Sequence, residues 1–181
     1  MNIKEKVQRW WHRSGFGIHS PWAYELVTEA LFSEDHYYAF DTMEGTEADR
    51  QLYRLFLWLK PKHYTACGGT ESAKAHMKAA FQSTGNKTEA EILYFAPDRL
   101  WEVEKAFGSN WWSVGQNTCI IVDGICQKEV AKPNVLRPET LVPRAVWDEL
   151  LQKPQTTSAF DLGDRGIVFF DPARQRQTYL L

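Results

Sequence analysis

The chain has 181 residues, of which 44% are hydrophobic and 24% charged, a composition typical of one globular domain with a sizeable core. Its formal net charge of -2 gives no overall basic field, so we expect neither a nucleic-acid partner nor an anionic membrane. No apolar run reaches membrane-spanning length, and residues 1–15 lack the apolar segment of a secretion signal. We therefore expect a cytoplasmic location.

The three cysteines, Cys67, Cys119 and Cys126, show no CxxC spacing. An odd number of such cysteines in a reducing compartment predicts free and mostly buried thiols. No His or carboxylate stands at ligand spacing from them, so no metal site is expected.

Helical patterns dominate the first third of the chain. Four segments are predicted there: a helix over 2–12, a helix over 21–32, an irregular loop over 33–45 and a helix over 47–59. Ile3, Val7, Trp10 and Trp11 share one face of the first helix. We predict that residues 1–60 form a helical extension packed on an α/β domain over residues 61–181.

After residue 61 the pattern changes to alternating strands and helices. Strands are predicted over 63–67, 91–96, 118–122, 159–162, 166–170 and 178–181, with helices over 71–81, 98–107 and 145–151. Strand–helix–strand alternation indicates a mostly parallel sheet with right-handed crossovers. The Asp171-Pro172 step predicts a hairpin between the last two strands, and hence an antiparallel C-terminal edge.

Two glycines follow the first predicted strand, in the run Cys67-Gly68-Gly69-Thr70. Glycines at such a point let a ligand come close to the backbone, and the next helix directs its N-terminal N–H groups toward it. A nucleotide or adenosyl site is one interpretation. A plain tight turn is the other, because GxGxxG spacing and the lysine of a P-loop are both missing.

Asp123-Gly124 follows the apolar strand TCIIV. Ligands of open α/β sheets bind at the carboxyl ends of strands, where an aspartate can act as acid, base or ligand. Asp-Gly is also ordinary turn chemistry, so a structural role stays open.

Two further features allow a functional and a structural interpretation. His19 is either a proton carrier or a hydrogen-bonded structural residue. The aromatic set Trp10, Trp11, Trp111 and Trp112 is either part of a core or a surface for a partner.

Several segments, in this order, resemble a bacterial group of class I S-adenosylmethionine-dependent methyltransferases. GFGIHSPWAYELVTEAL is similar to the N-terminal helical entry of that group, which begins with an HGIHSPF-like segment, and AFDLGDRGIVFFDPARQRQTYLL is similar to its last two strands. Residues 121–129 resemble its DDIHWSKE stretch, and residues 147–150 match the helix that follows.

The chain departs from this group where the methyl donor would bind. Members end their first strand with an acidic residue and a GTSxG-like loop, but here the acidic position falls on Thr65 or Ala66, and Gly68 and Gly69 are what remains of the loop. Only 23 residues, 69–91, separate Gly68 from Ile92 of the EILYFA segment. EILYFA therefore aligns with the fourth strand of the group, and the second and third strands are deleted.

In the alternative register EILYFA is the second strand, and Ala96 then stands where the ribose carboxylate belongs. Loss of that carboxylate removes charge-assisted hydrogen bonds of about 1.5–3 kcal/mol each. In either register the group's HW pair reads Cys126-Gln127.

The resemblance implies a Rossmann-like methyltransferase fold with a reduced, mostly parallel sheet and N-terminal helices. It implies a degenerate, non-catalytic protein that acts through partner binding, as a homodimer or with another protein. The alternative is an active O- or N-directed methyltransferase whose site is rebuilt or completed by a second chain. In that case Gly68, Gly69 and Thr70 would bind S-adenosylmethionine, with Asp98 and Asp123 near the substrate.

Overall fold

A computed structural model describes residues 3–100, 115–126 and 143–181. They form an α/β structure of two compact units. The helical unit comprises the residues up to Lys62, Thr70–Ala90 and Leu181, and the sheet unit comprises His63–Gly69 and Glu91–Leu180. The predicted boundary between residues 60 and 61 stays a prediction, and the helix after the first strand groups with the N-terminal helices.

The helices of the helical unit agree with the periodicity of the sequence. They are α1 (Ile3–Arg13), α2 (Pro21–Glu25) continuing as a π-helix (Leu26–Leu31), α3 (Ala39–Thr42), α4 (Glu47–Leu59) and α5 (Glu71–Ser83). Ser20 caps α2, because its Oγ accepts a hydrogen bond from the Ala23 N–H. The short α3 lies inside the segment that was expected to be an irregular loop. No helix among these or the other described residues is long and apolar enough to cross a membrane.

Polar side chains of α4 satisfy the carbonyls that end the π-helix. The Arg54 Nε donates to the Ala30 carbonyl at 3.0 Å, and the Gln51 amide donates to the Leu31 carbonyl at 3.0 Å. Arg54 is buried and its charge is paired with Glu47. Because the last carbonyls of a helix have no partner within it, these bonds anchor the π-helix to α4.

A capping box starts α4 and also ties it to α5. The Thr46 hydroxyl accepts from the Asp49 N–H, while Asp49 Oδ2 accepts from the Thr46 N–H at 2.9 Å. The Ser72 hydroxyl donates to the same carboxylate oxygen at 3.0 Å. Burial alone would raise the pKa of Asp49, but the hydrogen bonds from Thr46 and Ser72, with a smaller contribution from His76, outweigh it and lower the pKa.

Replacing Asp49 by asparagine is expected to lower the free energy of unfolding by about 1–2 kcal/mol at pH 7. A carboxylate whose pKa is depressed by folding stabilises the protein above its unfolded pKa, about 3.9, and loses that contribution as the pH falls through the folded value. The difference between wild type and Asp49→Asn should therefore shrink below about pH 4. Urea unfolding at pH 7 and pH 3 measures it, with the exposed Glu71→Gln as control; an equal difference at both pH values would contradict the assignment.

The sheet unit is built on six strands. They are β1 (His63–Cys67), β2 (Glu91–Phe95), β3 (Thr118–Asp123), β4 (Ser158–Asp161), β5 (Arg165–Phe169) and β6 (Gln177–Leu180), with a 3-10 turn at Pro97–Arg99 and the helix α6 (Pro143–Gln152). The order across the sheet is β1-β2-β3-β5-β4-β6. Five strands run in one direction and β5 runs against them, so the prediction of a mostly parallel sheet is confirmed.

The predicted hairpin between the last two strands is wrong, and so is the antiparallel edge. The antiparallel strand β5 lies inside the sheet, and the edge strand β6 pairs in parallel with β4. The tight turn lies one connection earlier, between β4 and β5, where Gly163 has a φ of +96° and the Leu162 N–H donates to the Arg165 carbonyl. Asp171 does form a turn, since its side chain accepts from the Ala173 N–H, but the chain then passes to the far side of β4.

The core of the sheet unit lies between one face of the sheet and α6, which packs on β3 and β5. Trp147 of α6 is 1% exposed and is among the largest fully buried side chains. The cluster also contains Cys67, Leu93, Phe95, Leu100, Ile120, Val122, Ile125, Val146, Leu150, Ala159, Val168 and Phe170. The helix predicted over 98–107 begins in the 3-10 turn and lies outside the described residues from position 101 onward.

Candidate cofactor site

The carboxyl ends of the parallel strands β1, β2 and β3 carry four of the five predicted site residues. Gly68 and Gly69 follow β1, Asp98 follows β2, and Asp123 ends β3. Parallel pairing in register places these strand ends at the same edge of the sheet. The structure therefore brings these four residues to one edge of the sheet, within the sheet unit.

Both glycines adopt left-handed backbone conformations, with φ of +81° at Gly68 and +92° at Gly69. Their α-carbons are closely covered by side chains of the same unit. A methyl group at Gly68 would lie 2.5 Å from Asp98 Oδ1, and one at Gly69 would lie 2.9 Å from the Tyr94 ring. The glycines are thus required by backbone conformation and by close packing against this chain's own residues.

Asp98 accepts the hydrogen bond of a backbone N–H group that a ligand-binding loop would present to its ligand. Its Oδ1 accepts a hydrogen bond from the Gly69 N–H at 2.9 Å, across from β2 to the end of β1. A carboxylate in this position binds the loop as an anionic ligand would. Asp98 is therefore an internal partner of the glycine loop.

Asp123 is held by two neighbours on the adjoining strands. Arg165 of β5 binds it with two nearly parallel hydrogen bonds, Nε to Oδ1 at 2.5 Å and Nη2 to Oδ2 at 2.9 Å. The Tyr94 hydroxyl of β2 donates to Oδ2 at 2.6 Å. The side chain of Arg165 is 7% exposed and that of Asp123 is 19% exposed. We call this three-residue group the Asp123 clamp, and it connects β2, β3 and β5.

Thr70, the fifth of these residues, caps a helix. It belongs to the helical unit, and its hydroxyl accepts a hydrogen bond from the Ala73 N–H at 3.1 Å, which caps α5. Its side-chain oxygen is thereby engaged in the helix.

Tyr94 and Arg165 were missed by sequence reasoning. Tyr94 is 2% exposed inside the apolar segment EILYFA, and a buried phenol needs a hydrogen-bond partner, which was a usable signal. Arg165 is the direct cross-strand partner of Asp123 in the β3–β5 register. That pairing could not be found without knowing that β5 lies beside β3 and runs against it.

The cysteines are free, as predicted, with Cys67 and Cys119 buried and Cys126 exposed. Burial raises the pKa of the Cys119 thiol. A hydrogen bond to Asp164 and, to a lesser extent, burial raise the pKa of the Cys126 thiol. Low thiolate content makes a cysteine a poor nucleophile and metal ligand. Within the described ranges no group of three or more His, Cys, Asp or Glu side chains is arranged to hold a metal ion.

In comparisons with known proteins, no family model matches the chain, and neither a curated protein nor a solved structure matches it.

Proposed function

We propose that this chain is a degenerate member of the methyltransferase-like group that its sequence resembles, and that it works by binding a partner instead of transferring a methyl group. The observation that carries the proposal is the occupation of the strand-end site by the chain's own side chains. Asp98 binds the Gly69 amide, and Arg165 and Tyr94 bind Asp123. A donor molecule would have to displace these bonds before it could use the same groups.

The position of β1 supports the same proposal. It is the first strand in the sheet order, and among the described residues no strand pairs with its outer side. The group resembled has two further strands between its first and fourth, and the short connection between β1 and β2 fits their deletion. The acidic residue that ends the group's first strand has no counterpart at Thr65 or Ala66, and the one that would hold the ribose hydroxyls has none at Ala96.

The Asp123 clamp also argues against a base or acid at this position. A general base must reach the proton of its substrate with a free lone pair. Here three of the roughly four acceptor sites of the carboxylate are taken, one by a phenol and two by a guanidinium that does not release protons. The clamp has the geometry of a cross-strand connection between β2, β3 and β5.

The test is thermal unfolding with and without 1 mM S-adenosylmethionine or S-adenosylhomocysteine. A ligand at 100 times its dissociation constant adds about 2.7 kcal/mol, which in a chain of this size raises Tm by roughly 5–10 °C. We expect either compound to raise Tm by less than about 1 °C, because a ligand that does not bind adds no stability. Adenosine at the same concentration controls for non-specific effects. A shift of several degrees with the two sulfur compounds but not with adenosine would overturn the proposal in favour of an active methyltransferase.

A further inference from the structure

Four apolar side chains form an exposed stripe on the helical unit. Val7, Trp10 and Trp11 lie on one face of α1 and are 45%, 65% and 49% exposed, and Phe16, just beyond the helix, is 67% exposed. Contiguous exposed aromatic residues are typical of binding surfaces. Of the aromatic set singled out in the sequence, Trp10 and Trp11 are thus at the surface, while Trp111 and Trp112 lie outside the described residues. We call Val7, Trp10, Trp11 and Phe16 the aromatic stripe.

The aromatic stripe is held in place by its own turn. The Phe16 ring packs edge-on against Trp11, with ring centroids 5.4 Å apart. The turn that positions it has a φ of +78° at Gly15 and a hydrogen bond from the Phe16 N–H to the Trp11 carbonyl. On α1, Arg9 donates to the carbonyl of Leu181 at 2.8 Å, so the aromatic face is turned outward by a specific contact. A surface fixed before binding loses little conformational entropy when it docks.

The charges of the first 50 residues are segregated along the chain. Residues 1–19 contain four basic residues and one acidic residue, a net charge of +3. Residues 20–50 contain eight acidic residues and one basic residue, a net charge of -7. Lys6 and Arg13 of the first set are exposed, as are Glu34 and Asp35 of the second.

The basic and acidic parts meet at the end of α1. The Arg13 guanidinium lies over the Phe32 ring, 5.2 Å from its centroid. Glu34 is two residues further along, within about 7 Å of Phe32 by chain length alone. Arg13 thus brings the basic residues of α1 close to the acidic segment that begins just beyond Phe32, in the same unit as the stripe.

We infer that this surface docks on a second copy of the chain, the stripe of one protomer against that of its partner, with Lys6 and Arg13 of each facing Glu34 and Asp35 of the other. A two-fold interface needs a patch that is complementary to itself, and a patch carrying both signs of charge beside an apolar centre meets that condition. An anionic lipid surface fits less well, because the carboxylates next to Phe32 would be repelled within a Debye length of about 8 Å. The inference rests on the proposed function, since it names the partner for a protein that acts by binding.

The size of the stripe sets the affinity to be tested. Three partly exposed aromatic side chains offer on the order of 300 Å² per protomer, given 150–250 Å² for a fully buried one. A standard interface buries about 800 Å² per partner, so the flanking charges and their neighbours must contribute. We expect a dimer in the micromolar range, weakened by salt.

The experiment reverses the charges on each side of the proposed interface and measures dimerisation by sedimentation velocity. The protein concentration covers about 1–100 μM, the range of dissociation constants that this interface size implies. Lys6→Glu/Arg13→Glu and Glu34→Lys/Asp35→Lys should each dimerise at least tenfold more weakly than wild type. An equimolar mixture of the two should recover a heterodimer near wild-type affinity, because each substituted patch is again complementary to the other. Lys62→Glu/Lys78→Glu, with the same change of charge elsewhere on the helical unit, should dimerise as wild type does.

Trp10→Ala should also abolish dimerisation while circular dichroism and Tm stay close to wild type. A wild-type chain that is monomeric throughout, or a mixture that does not recover the dimer, would overturn the inference. So would a monomer that floats with vesicles of anionic phospholipid. Thermal shift with S-adenosylhomocysteine on the same samples separates the two proposals: a dimer that binds it overturns the proposed function alone, and a monomer that does not bind it overturns this inference alone.

Discussion

Replacing Asp123 by alanine is expected to lower the free energy of unfolding by about 3 kcal/mol. The substitution leaves the guanidinium of Arg165, 7% exposed, without the two hydrogen bonds that compensate its burial, and it removes the acceptor of the Tyr94 hydroxyl. Removing one partner of a buried ion pair costs about 3–5 kcal/mol, and the partial exposure of Asp123 places the value at the lower end. Chemical denaturation followed by tryptophan fluorescence measures it.

Asp98→Ala is the matched control, because Asp98 also stands at a strand end but accepts one backbone hydrogen bond at an exposed position. Asp98→Ala should lower the free energy of unfolding by about 1 kcal/mol. The double variant Asp123→Ala/Arg165→Met should be less destabilised than the sum of the two single variants, since it removes both charges together. A loss below about 1 kcal/mol for Asp123→Ala would show that the clamp carries little stability and would reopen a catalytic role for this carboxylate.

The measured loss of stability distinguishes two roles of an aspartate at the end of a strand, a catalytic one and a structural one. A catalytic carboxylate can usually be replaced with little loss of stability, because its environment is arranged for reaction and not for packing. A cross-strand clamp behaves in the opposite way. The sequence alone could not decide between them, because Asp123-Gly124 has the same spacing in both cases.

Most elements of the fold were predictable because their signals are local. Most of the strands carry several β-branched or aromatic residues close to turn residues, and Ser20 before Pro21 marks a helix start. Burial of β3 on all but its last residue follows from the continuous apolar run TCIIV. The glycines and Asp123 were singled out because each follows a predicted strand, whereas Asp98 was named through the resemblance.

What the sequence did not reveal depends on contacts between distant segments. Asp171-Pro172 is a genuine turn, but only the sheet order shows that β6 pairs with β4 and not with β5. Periodicity left open whether the face of α1 that carries Trp10 and Trp11 is buried or exposed; the structure exposes it, and Arg9 of the same helix binds the carbonyl of Leu181. That contact spans 172 positions of the chain and leaves no local signature.

Gly166→Ala is expected to destabilise the sheet unit by about 3 kcal/mol although its backbone needs no glycine. A methyl group there would lie 2.3 Å from Cε3 and 2.5 Å from Cζ3 of Trp147, whose indole is 1% exposed in the core between α6 and the sheet. Alanine in a strand gains roughly 0.5–1 kcal/mol over glycine, whereas forcing a group into a packed core costs about 1–3 kcal/mol or more. Because the added methyl group would overlap a large buried ring, we expect the net change in stability to be a loss.

Two comparisons make this expectation specific. Gly85 has no atom within 4 Å of an added methyl group, so Gly85→Ala should leave stability unchanged within about 0.5 kcal/mol. Trp147→Leu should cost about 3 kcal/mol by itself, as a large-to-small core change, but the pair Gly166→Ala/Trp147→Leu should lose clearly less than the sum, because the smaller side chain leaves room for the methyl group. Unfolding free energies that simply add across the pair, or a Gly166→Ala variant as stable as wild type, would contradict the close approach of α6 to β5 on which the packing of the sheet unit depends.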